Sequence, residues 1–401
     1  MDGWKIISVD DACTITDCQH KTAPIVEYIT PYKMLRTSNI RNGKIDTINV
    51  NYVTEETYKA WSVRGELNIN DVILTREAPM GEVGIIRSEE RFFLGQRMLQ
   101  LKANQKLIQP KYLYLSLLSS YFQKQLAPLK GNGSIVANIR IPELKKMRLL
   151  IPSKEEEQQK IASILSTWDK AIELKEKLIE QKKKQKKGLM QKLLTGNGRL
   201  PGYEGEWKKD KLKKLCDKIM DGTHSTPKYV DSGIPFYSVE NVTRKDFENS
   251  KYITQEEHEA ISSRCKVERN DILITRIGSI GDAVLVDWDH ESSIYVSLAL
   301  LKTKDKIMPE FLVQYMGTDI FKREILSKSL TTAIPQKINL GDLGEVNISY
   351  PYDVREQSAI VDFLSKADEE IYLLERDLKE TGIQRKGLMQ LLLTGKVRVK
   401  V

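Results

Sequence analysis

The chain has 401 residues, too many for one ordinary hydrophobic core, and its length predicts two or three domains. Hydrophobic residues make up 40% of it, which is enough for folded domains, so disorder throughout the chain is not expected. With 63 Lys and Arg against 55 Asp and Glu the net charge is +8, which favours a polyanionic partner but does not establish one.

The cysteines and histidines, four of each, show no metal-binding spacing. Cys13 and Cys216 fall at equivalent places after two Trp-Lys pairs, and we interpret them as small core residues. Free thiols in a chain of this size are typical of a reducing compartment. There is no signal-peptide pattern and no apolar run near the ~20 residues of a membrane span, so we expect a soluble cytoplasmic protein without a membrane partner.

Residues 1–152 are predicted to form a mixed α/β domain. Short β-rich runs at 71–75 and 83–86 are bounded by Gly, Pro and Asn. A helix is predicted over Pro110–Leu118, because proline is acceptable in a first helical turn. A flexible basic loop follows at 129–134, and residues 139–152 are predicted to return as a strand.

Residues 153–196 are predicted to form a long spacer helix that begins near a Glu-Gln pair and ends near Gly-Leu-Met-Gln and Leu-Leu-Thr-Gly. Apolar residues recur along it with 4-3 spacing, at Ile161, Leu165, Trp168 and Ile172 among others. At ~1.5 Å rise per residue, a helix of about 40 residues is ~60 Å long. Its apolar stripe requires a packing partner.

The same arrangement then occurs a second time. A glycine-rich linker at 197–206 leads to a second domain at 207–352, a second long helix at 353–395 and a tail at 396–401. Matched positions such as Glu157 and Glu356, or Thr195 and Thr394, all differ by 199 (356 − 157 and 394 − 195). An ungapped repeat of this length indicates a duplicated architecture.

We therefore predict two α/β (α+β) domains separated by two long helices, related as a pseudo-twofold repeat. The matching apolar stripes predict that the helices form an intramolecular coiled coil. The lysine-rich run at 182–187 of the first helix would meet the acidic residues at 368–370 of the second only in an antiparallel pair. Antiparallel packing is therefore predicted, although each exposed ion pair contributes only some tenths of a kcal/mol.

Between the shared anchors, segments 14–60 and 217–260 share almost no sequence. The scaffold is repeated and these segments are not. We therefore expect the information that distinguishes the two copies to lie in them.

Motifs for catalysis and for energetic cofactors are missing from the sequence. There is no Asn/Asp-Pro-Pro-Tyr/Phe tetrapeptide for amino-group methylation, no GxxxxGK[ST] phosphate loop, and no HExxH or GxSxG motif. No serine, cysteine or histidine triad has a familiar context. We interpret the chain as a binding protein with no catalytic residue, metal site or cofactor of its own.

Two arginines, Arg76 and Arg276, follow predicted strands and precede glycine-containing turns, whose N–H groups can donate to a phosphate oxygen. The polar stretch at 221–227 and the unlike loops at 36–43 and 237–244 carry side chains suited to base-edge hydrogen bonds. The predicted DNA contacts are Arg36, Asn39, Arg41, Arg76, Lys130, Asn132, Ser134, Asp221, Thr223, His224, Lys228, Asn241, Arg244, Arg276, Ser279, Lys328, Thr331 and Lys337.

Together these motifs resemble the specificity subunit of type I restriction-modification enzymes, over essentially the whole chain. The resemblance rests on Asp-Gly-Thr-His-Ser-Thr-Pro at 221–227, Asp-Ile-Leu-Ile-Thr-Arg at 271–276, the paired Glu-Gln starts and the paired Gly-Leu-Met-Gln ends. The first copy has Asp-Cys-Gln-His at 17–20 in place of an Asp-Gly-Thr-His motif, so base contacts cannot be transferred to it.

The resemblance implies that each domain reads one half of a split, asymmetric double-stranded DNA site in the major groove, with the two readers centred ~34–36 Å apart. The helices would serve as spacer and as docking surface for two methyltransferase subunits, through which restriction (translocase-nuclease) subunits attach. S-adenosylmethionine, ATP and Mg²⁺ would be bound by those partners. The methyltransferase contacts expected on this chain are Gln158, Trp168, Leu189, Met190, Gln357, Leu388 and Met389.

Two other functions stay open at this stage. The paired helices could form a scaffold that bridges proteins, with the basic charge incidental to it. Alternatively, the chain could be the specificity partner of a fused type II methyltransferase-nuclease. Salt-dependent DNA binding would separate the first alternative from the DNA reading, and neighbouring genes would identify the second.

Overall fold

The computed structural model describes residues 3–130 and 138–401. The chain divides into two compact units: unit 1 is Met1–Glu176 with Asp377–Val401, and unit 2 is Lys177–Arg376. Each unit contains one mixed α/β domain and part of each long helix. Each compact unit thus combines one predicted α/β domain with parts of both predicted helices.

The secondary structure of unit 1 alternates short strands with short helices, as its Gly, Pro and Asn punctuation predicts. Its elements are β1 (Trp4–Ser8), α1 (Val9–Ala12), β2 (Cys13–Asp17), β3 (Tyr32–Leu35), a 3₁₀ turn (Thr37–Asn39), β4 (Ile40–Arg41), β5 (Lys44–Ile45), β6 (Asn51–Tyr52), α2 (Glu55–Ser62), β7 (Val72–Thr75), β8 (Val83–Ile85), β9 (Arg91–Leu94), β10 (Met98–Ala103), α3 (Pro110–Leu118), α4 (Ser120–Leu126), a 3₁₀ turn (Ala127–Lys130), α5 (Ile141–Lys146), β11 (Arg148–Pro152) and the long α6 (Glu155–Leu193).

The main sheet of unit 1 is antiparallel, with strand order β2-β10-β7-β8. A smaller sheet, β6-β3-β9, contains the parallel pair β3–β9, and β1 pairs with β11. Every residue of β7 is buried, because one face of the main sheet meets the core around α3 and the other meets a second apolar cluster around Phe92. A strand covered on both faces reads as a continuous apolar run.

Unit 2 repeats these elements with one main difference. It contains β12 (Trp207–Lys211), α7 (Leu212–Leu215), β13 (Cys216–Asp221), β14 (Ile234–Tyr237), α8 (Val239–Arg244), β15 (Lys251–Ile253), α9 (Gln255–Ser262), β16 (Ile272–Thr275), β17 (Ala283–Leu285), β18 (Ser293–Ile294), β19 (Leu298–Thr303), α10 (Pro309–Met316), α11 (Asp319–Ser327), α12 (Leu340–Gly344), β20 (Asn347–Pro351) and the long α13 (Val354–Leu393). Helix α8 stands where unit 1 has the hairpin β4–β5.

The sheet orders of unit 2 match those of unit 1: β13-β19-β16-β17, β15-β14-β18 with β14–β18 parallel, and β12-β20. The agreement extends into segments 14–60 and 217–260. Helices α2 and α9, for example, begin after threonine caps at equivalent places, with Thr54 accepting from the Thr57 N–H and Thr254 from the Glu257 N–H. These segments share a backbone scaffold although their sequences had suggested that they share almost nothing.

The two long helices pack antiparallel, and this prediction is confirmed. In unit 2, Lys182 Nζ lies 2.6 Å from Glu370 Oε1, and Lys186 pairs with Asp368. In unit 1, Lys175 Nζ lies 2.6 Å from Asp377 Oδ2. The carboxylates of these pairs are exposed and the lysines half-buried, so the pairs select the orientation more than they stabilise it.

The ends of the long helices enter the domain cores. In unit 1 the start of α6, at Ile161 and Leu165, shares one buried cluster with the end of α13, at Leu392 and Leu393. In unit 2 the end of α6 and the start of α13 share a cluster in the same way, through Leu193, Leu194, Ile360 and Leu364. Burial of each such leucine or isoleucine stabilises the unit by about 1.5–3 kcal/mol. Each domain is therefore closed by both helices.

One predicted element differs from the structure. Residues 139–152 were expected to form a strand, but only Arg148–Pro152 is a strand, and Ile141–Lys146 is a short helix with proline in its first turn.

In the part of the chain that the structure describes, no helix is both long and apolar enough to cross a membrane.

Candidate nucleic-acid interface

Strand β16 is followed by a buried arginine that joins several segments of unit 2. Arg276 Nη1 donates to Asp221 Oδ2 at the end of β13 and to the Val296 carbonyl, each at 3.0 Å. Its Nε donates to the Ile338 carbonyl (3.2 Å), and the Ile338 N–H donates back to the Arg276 carbonyl (2.9 Å). Both side chains of the Arg276–Asp221 pair are 9% exposed. The pair therefore fixes the loops around it instead of facing solvent.

Unit 1 contains the same arrangement. Arg76 Nη1 donates to Asp17 at 3.0 Å, and Arg76 Nε donates to the Ile139 carbonyl at 3.1 Å. The Ile139 N–H in turn donates to the Arg76 carbonyl at 3.1 Å. The two domains, whose loops differ in sequence, thus contain the same internal arginine–aspartate pair.

An exposed histidine stands over each aspartate. His20 Nε2 lies 3.2 Å from Asp17 Oδ2, and His224 Nε2 lies 2.9 Å from Asp221 Oδ2. The histidine side chains are 61% and 66% exposed, in contrast to the half-buried Arg76–Asp17 pair and the buried Arg276–Asp221 pair. We call the arginine, aspartate and histidine of each unit its hub.

The sequence pointed to only one of these histidines. His224 was predicted to contact DNA, whereas His20 was set aside because its tetrapeptide lacks the glycine and threonine. Gly222 is required in unit 2 because an added Cβ would lie 2.0 Å from the Ile294 carbonyl oxygen, and unit 1 places the buried Cys18 there instead. The shared Asp-x-x-His spacing was the signal that would have found the second hub.

The hubs change the roles assigned to Arg76, Arg276 and Asp221, which were predicted to contact DNA. Their polar atoms are engaged inside their own units, so the side chains position loops and do not present themselves to a ligand. An arginine with several fixed acceptors is well suited to this, because its donors form a rigid fork. We therefore reassign these three residues as positioning groups.

The turns after the arginines were predicted to offer N–H groups to a phosphate. Instead, the N–H of Gly81 donates to the Thr75 carbonyl and that of Gly281 to the Thr275 carbonyl, each at 2.9 Å. Both glycines have φ of +84°, a conformation that other residues rarely adopt. These N–H groups are used to close the turn.

A second repeated device lies in the loops that were expected to differ. In unit 1, Asn39 Oδ1 accepts from the Arg36 N–H (2.9 Å) and Asn39 Nδ2 donates to the Asn49 carbonyl (2.8 Å). The Asp46 carboxylate accepts from the N–H of Asn49 at 3.0 Å. Asn39 is buried, so its amide shapes the loop and is not available as a base reader.

Unit 2 repeats this device. Asn241 Oδ1 accepts from the Ser238 N–H (2.9 Å) and its Nδ2 donates to the Asn249 carbonyl (3.3 Å). Asp246 accepts from the N–H of Asn249 at 3.0 Å. Asn241, like Asn39, was predicted to contact DNA and is instead part of the loop's internal framework.

The remaining predicted DNA contacts fall into three groups. Exposed side chains are Arg36, Arg41, His224, Lys228, Arg244, Thr331 and Lys337. Half-buried ones are Thr223, Ser279 and Lys328. Asn132 and Ser134 lie outside the described residues, as does the side chain of Lys130. Within each unit, the exposed arginine, lysine and histidine side chains are the ones best suited to contact a polyanion.

The predicted methyltransferase contacts at the helix starts are internal. Gln158 and Gln357 are buried, and their side-chain oxygens accept from the N–H groups of Gln109 (2.9 Å) and Met308 (2.8 Å). Their amide groups donate to the carbonyls of the chain that precedes each helix, such as that of Pro152 (3.1 Å). Both glutamines anchor the helix to its domain.

The predicted contacts at the helix ends also pack within the units. Met389 is buried and Leu388 partly buried against the core of unit 1, while Leu189 and Met190 pack against the core of unit 2. Trp168 is half-buried. The Gly-Leu-Met-Gln motif at the end of α13 therefore packs against the core of unit 1, where α6 begins. The same motif at the end of α6 packs against the core of unit 2, where α13 begins.

The glutamate of each Glu-Gln pair is held by an arginine that sequence reasoning missed. Arg199 Nε and Nη2 donate to the two oxygens of Glu356, both at 2.6 Å. Arg398 Nε and Nη2 donate to those of Glu157 at 2.6 and 2.7 Å. Each glutamate is 1% exposed. We call these two pairs the clasps; the arginines differ by the repeat spacing of 199 (398 − 199), which was the available signal.

The structure places the four cysteines in the interior, as predicted for Cys13 and Cys216. Burial raises the pKa of both thiols to about 12, so they remain protonated and act as small apolar side chains. Among the described residues, no group of three or more His, Cys, Asp and Glu side chains is arranged to hold a metal ion.

The sequence profile of the family described as "Type I restriction modification DNA specificity domain" matches residues 1–183 and 204–381. The chain is 26% identical over 425 residues to the type I restriction enzyme MjaVIII specificity subunit of Methanocaldococcus jannaschii, which covers 99% of this chain and 93% of that protein. It is 22% identical over 386 residues to the EcoKI specificity subunit of Escherichia coli (strain K12), covering 90% and 81%.

Solved structures share the fold. A chain from a structure of complex assembly and conformational transition in the type I R-M system superposes with a TM-score of 0.65 at 20% identity, covering 100% of this chain and 99% of that one. The S subunit of a type I restriction-modification system from M. genitalium gives a TM-score of 0.54 at 18% identity, covering 97% and 96%.

Proposed function

The chain belongs to the family of type I restriction-modification DNA specificity domains, and from this premise we propose that it is the specificity subunit of a type I restriction-modification complex. Each α/β domain reads one half of a bipartite, asymmetric DNA site. The observation that carries this proposal is the pair of hubs. The same arginine–aspartate pair supports loops of different sequence in the two units.

The loops around the hubs support two different readouts. Unit 1 presents the hairpin β4–β5 with Arg41, whereas unit 2 presents helix α8 with Arg244 at its end. Arginine is the commonest reader of guanine in the major groove, and its register on the duplex depends on the backbone that carries it. The hairpin of unit 1 and the helix of unit 2, which stand at equivalent places on the same scaffold, would therefore read different bases.

The helices offer a candidate docking surface for methyltransferase subunits. Leu174 in unit 1 and Leu373 in unit 2 differ by 199 and are 56% and 44% exposed. Exposed leucines at equivalent positions support the binding of two copies of one partner, one to each unit. Restriction subunits would attach through these partners, and S-adenosylmethionine, ATP and Mg²⁺ would be bound there.

DNA recognition is tested with the chain co-purified with its methyltransferase. We expect affinity for DNA to fall about 10³-fold or more between ~50 and ~200 mM salt, because several phosphate contacts release counterions. Exchange of residues 1–150 for those of a relative should change one half of the methylated motif, as determined by methylome sequencing. Salt-insensitive binding, or a change in both halves, would contradict the proposal.

Docking is tested with Leu174→Asp and Leu373→Asp. Each variant should lose one methyltransferase copy, giving a one-to-one complex in native mass spectrometry, because a buried carboxylate is costly at an apolar contact. Leu326→Asp is the matched control, since Leu326 is similarly exposed (43%) but lies on α11. Full occupancy in both helix variants would show that the partner binds elsewhere.

A further inference from the structure

The hubs occur in both units although the units are proposed to read different half-sites. A side chain that is the same in two readers cannot by itself distinguish their two sequences. What it can contact in common is the sugar-phosphate backbone, which is chemically the same at every site. We propose that His20 and His224 each bind a backbone phosphate, and that Asp17 and Asp221 position them; this rests on the proposed function.

The geometry suits a phosphate contact. The Nε2 atoms of both histidines face a carboxylate, at 3.2 Å in unit 1 and 2.9 Å in unit 2. The contact is a hydrogen bond in unit 2 and an ion-pair contact in unit 1. The imidazolium form carries a second N–H at Nδ1, for which no protein partner occurs among the described residues. The imidazolium then donates to the aspartate with one nitrogen and to a phosphate oxygen with the other.

The charge around the hub also favours an anion. In unit 2 the single carboxylate of Asp221 faces Arg276 at 3.0 Å and Arg264 at 3.5 Å, so two guanidinium groups share one negative charge before His224 is considered. Arg264 also donates to the carbonyls of Asp221 and Gly222, which keeps it beside the loop. The positive excess increases when the histidine is protonated, and a phosphate oxygen neutralises it.

Unit 1 keeps the aspartate–arginine pair, but its second arginine contacts the backbone and not the carboxylate. Asp17 faces Arg76 at 3.0 Å, and Arg64, the counterpart of Arg264, donates to the Cys18 carbonyl at 2.8 Å. The residues between aspartate and histidine are unlike, Cys-Gln in unit 1 and Gly-Thr in unit 2. The hub therefore sets the register on the backbone, and the differing side chains around it are left to read bases.

The test uses His20→Ala and His224→Ala in the chain co-purified with its methyltransferase. Both side chains are largely exposed, so folding should be unaffected and is checked by thermal melting. We expect each variant to bind cognate and non-cognate DNA about three- to tenfold more weakly, the effect of one charge-assisted hydrogen bond at an exposed site. The slope of log affinity against log salt should become shallower by about 0.9 per histidine at a pH where it is protonated.

The methylated motif should be unchanged in both variants. His224→Lys should recover the lost affinity, because a lysine ammonium can also bind a phosphate.

Lys209→Ala is the matched control. Lys209 is exposed and lies on β12, which belongs to a different sheet from the one that carries the hub. It should leave the affinity and the salt slope unchanged.

Three results would overturn the phosphate contact. A change in the motif at the half-site of the altered unit would mean that the histidine reads a base. Unchanged affinity in both alanine variants, beside normal wild-type binding, would remove the contact while leaving the proposed function intact. A wild-type complex without salt-sensitive DNA binding would overturn the proposed function and the contact together.

Discussion

The clasps predict that removal of one arginine destabilises one unit. Glu356 is 1% exposed and receives two hydrogen bonds from Arg199 at 2.6 Å and a longer one from Trp207 Nε1 at 3.4 Å. Among the described residues, Arg199→Ala would leave this buried carboxylate at the start of α13 with only the tryptophan as a side-chain donor. The start of α13 is also where the helix enters the core of unit 2.

The expected size of the effect follows from the burial of the two partners. Removing one partner of a buried ion pair costs ~3–5 kcal/mol. Arg199 is 27% exposed, so water reaches one side of the pair and we take the lower end, about 3 kcal/mol. For a unit of roughly 200 residues, that corresponds to a fall in Tm of about 6–12 °C. Arg398 is 46% exposed, so water screens this pair more and Arg398→Ala should cost less, about 2 kcal/mol.

The assay combines differential scanning calorimetry with hydrogen exchange resolved by peptide. In Arg199→Ala, exchange should accelerate at the start of α13, and in Arg398→Ala at the start of α6, because each clasp lies within one unit. Arg269→Ala is the control: its pair with Asp289 is exposed on both sides, so its loss should cost less than about 0.5 kcal/mol.

The reasoning would be refuted by a Tm within about 1 °C of wild type in Arg199→Ala. It would also be refuted by faster exchange at the start of α6 in that variant with none at the start of α13. Either result would mean that the buried glutamate finds another partner or that the clasp does not anchor the helix.

Two further predictions concern the helices and the thiols. Seven residues inserted into α6 between Leu174 and Leu189 should abolish the activity of the complex, because the insertion shifts the register of ion pairs such as Lys182–Glu370. A matching insertion in α13 between Leu373 and Leu388 should restore DNA binding. The double insertion should also lengthen the spacing between the half-sites by about 10 Å, or about three base pairs, as determined by methylome sequencing. An unchanged spacing with full activity would exclude the spacer role. Iodoacetamide at pH 8 should leave the folded chain unmodified and should alkylate four thiols after denaturation. The reason is that burial raises the pKa of each cysteine thiol, to about 11 for Cys265. Rapid labelling of the folded protein would contradict the prediction.

The sequence alone predicted the features that depend on long patterns. The repeat spacing of 199 identified two copies of one module, and blocks of like charge at 182–187 and 368–370 predicted antiparallel helices. Such patterns can be recognised in the sequence alone because many residues contribute to each of them. The same holds for the family resemblance, which rests on several motifs together.

Individual side-chain roles were predicted less well. Arg276, Asp221 and Gln357 are polar residues in motif-rich stretches, and their sequence context suggested ligand or partner contacts. The structure buries all three and engages their polar atoms inside unit 2. A buried polar group requires hydrogen-bond partners, and these partners come from segments remote in sequence, such as the loop at 338 for Arg276.

The tertiary structure also joined residues that no local pattern connects. Arg398 and Glu157 are 241 residues apart and meet because antiparallel helices bring the end of one to the start of the other. His20 became equivalent to His224 only when both were seen over the same aspartate–arginine pair. Periodicity and repetition determined the architecture from sequence, whereas burial and long-range pairing, which depend on the folded chain, decided which polar residues brace the domains and which face outward.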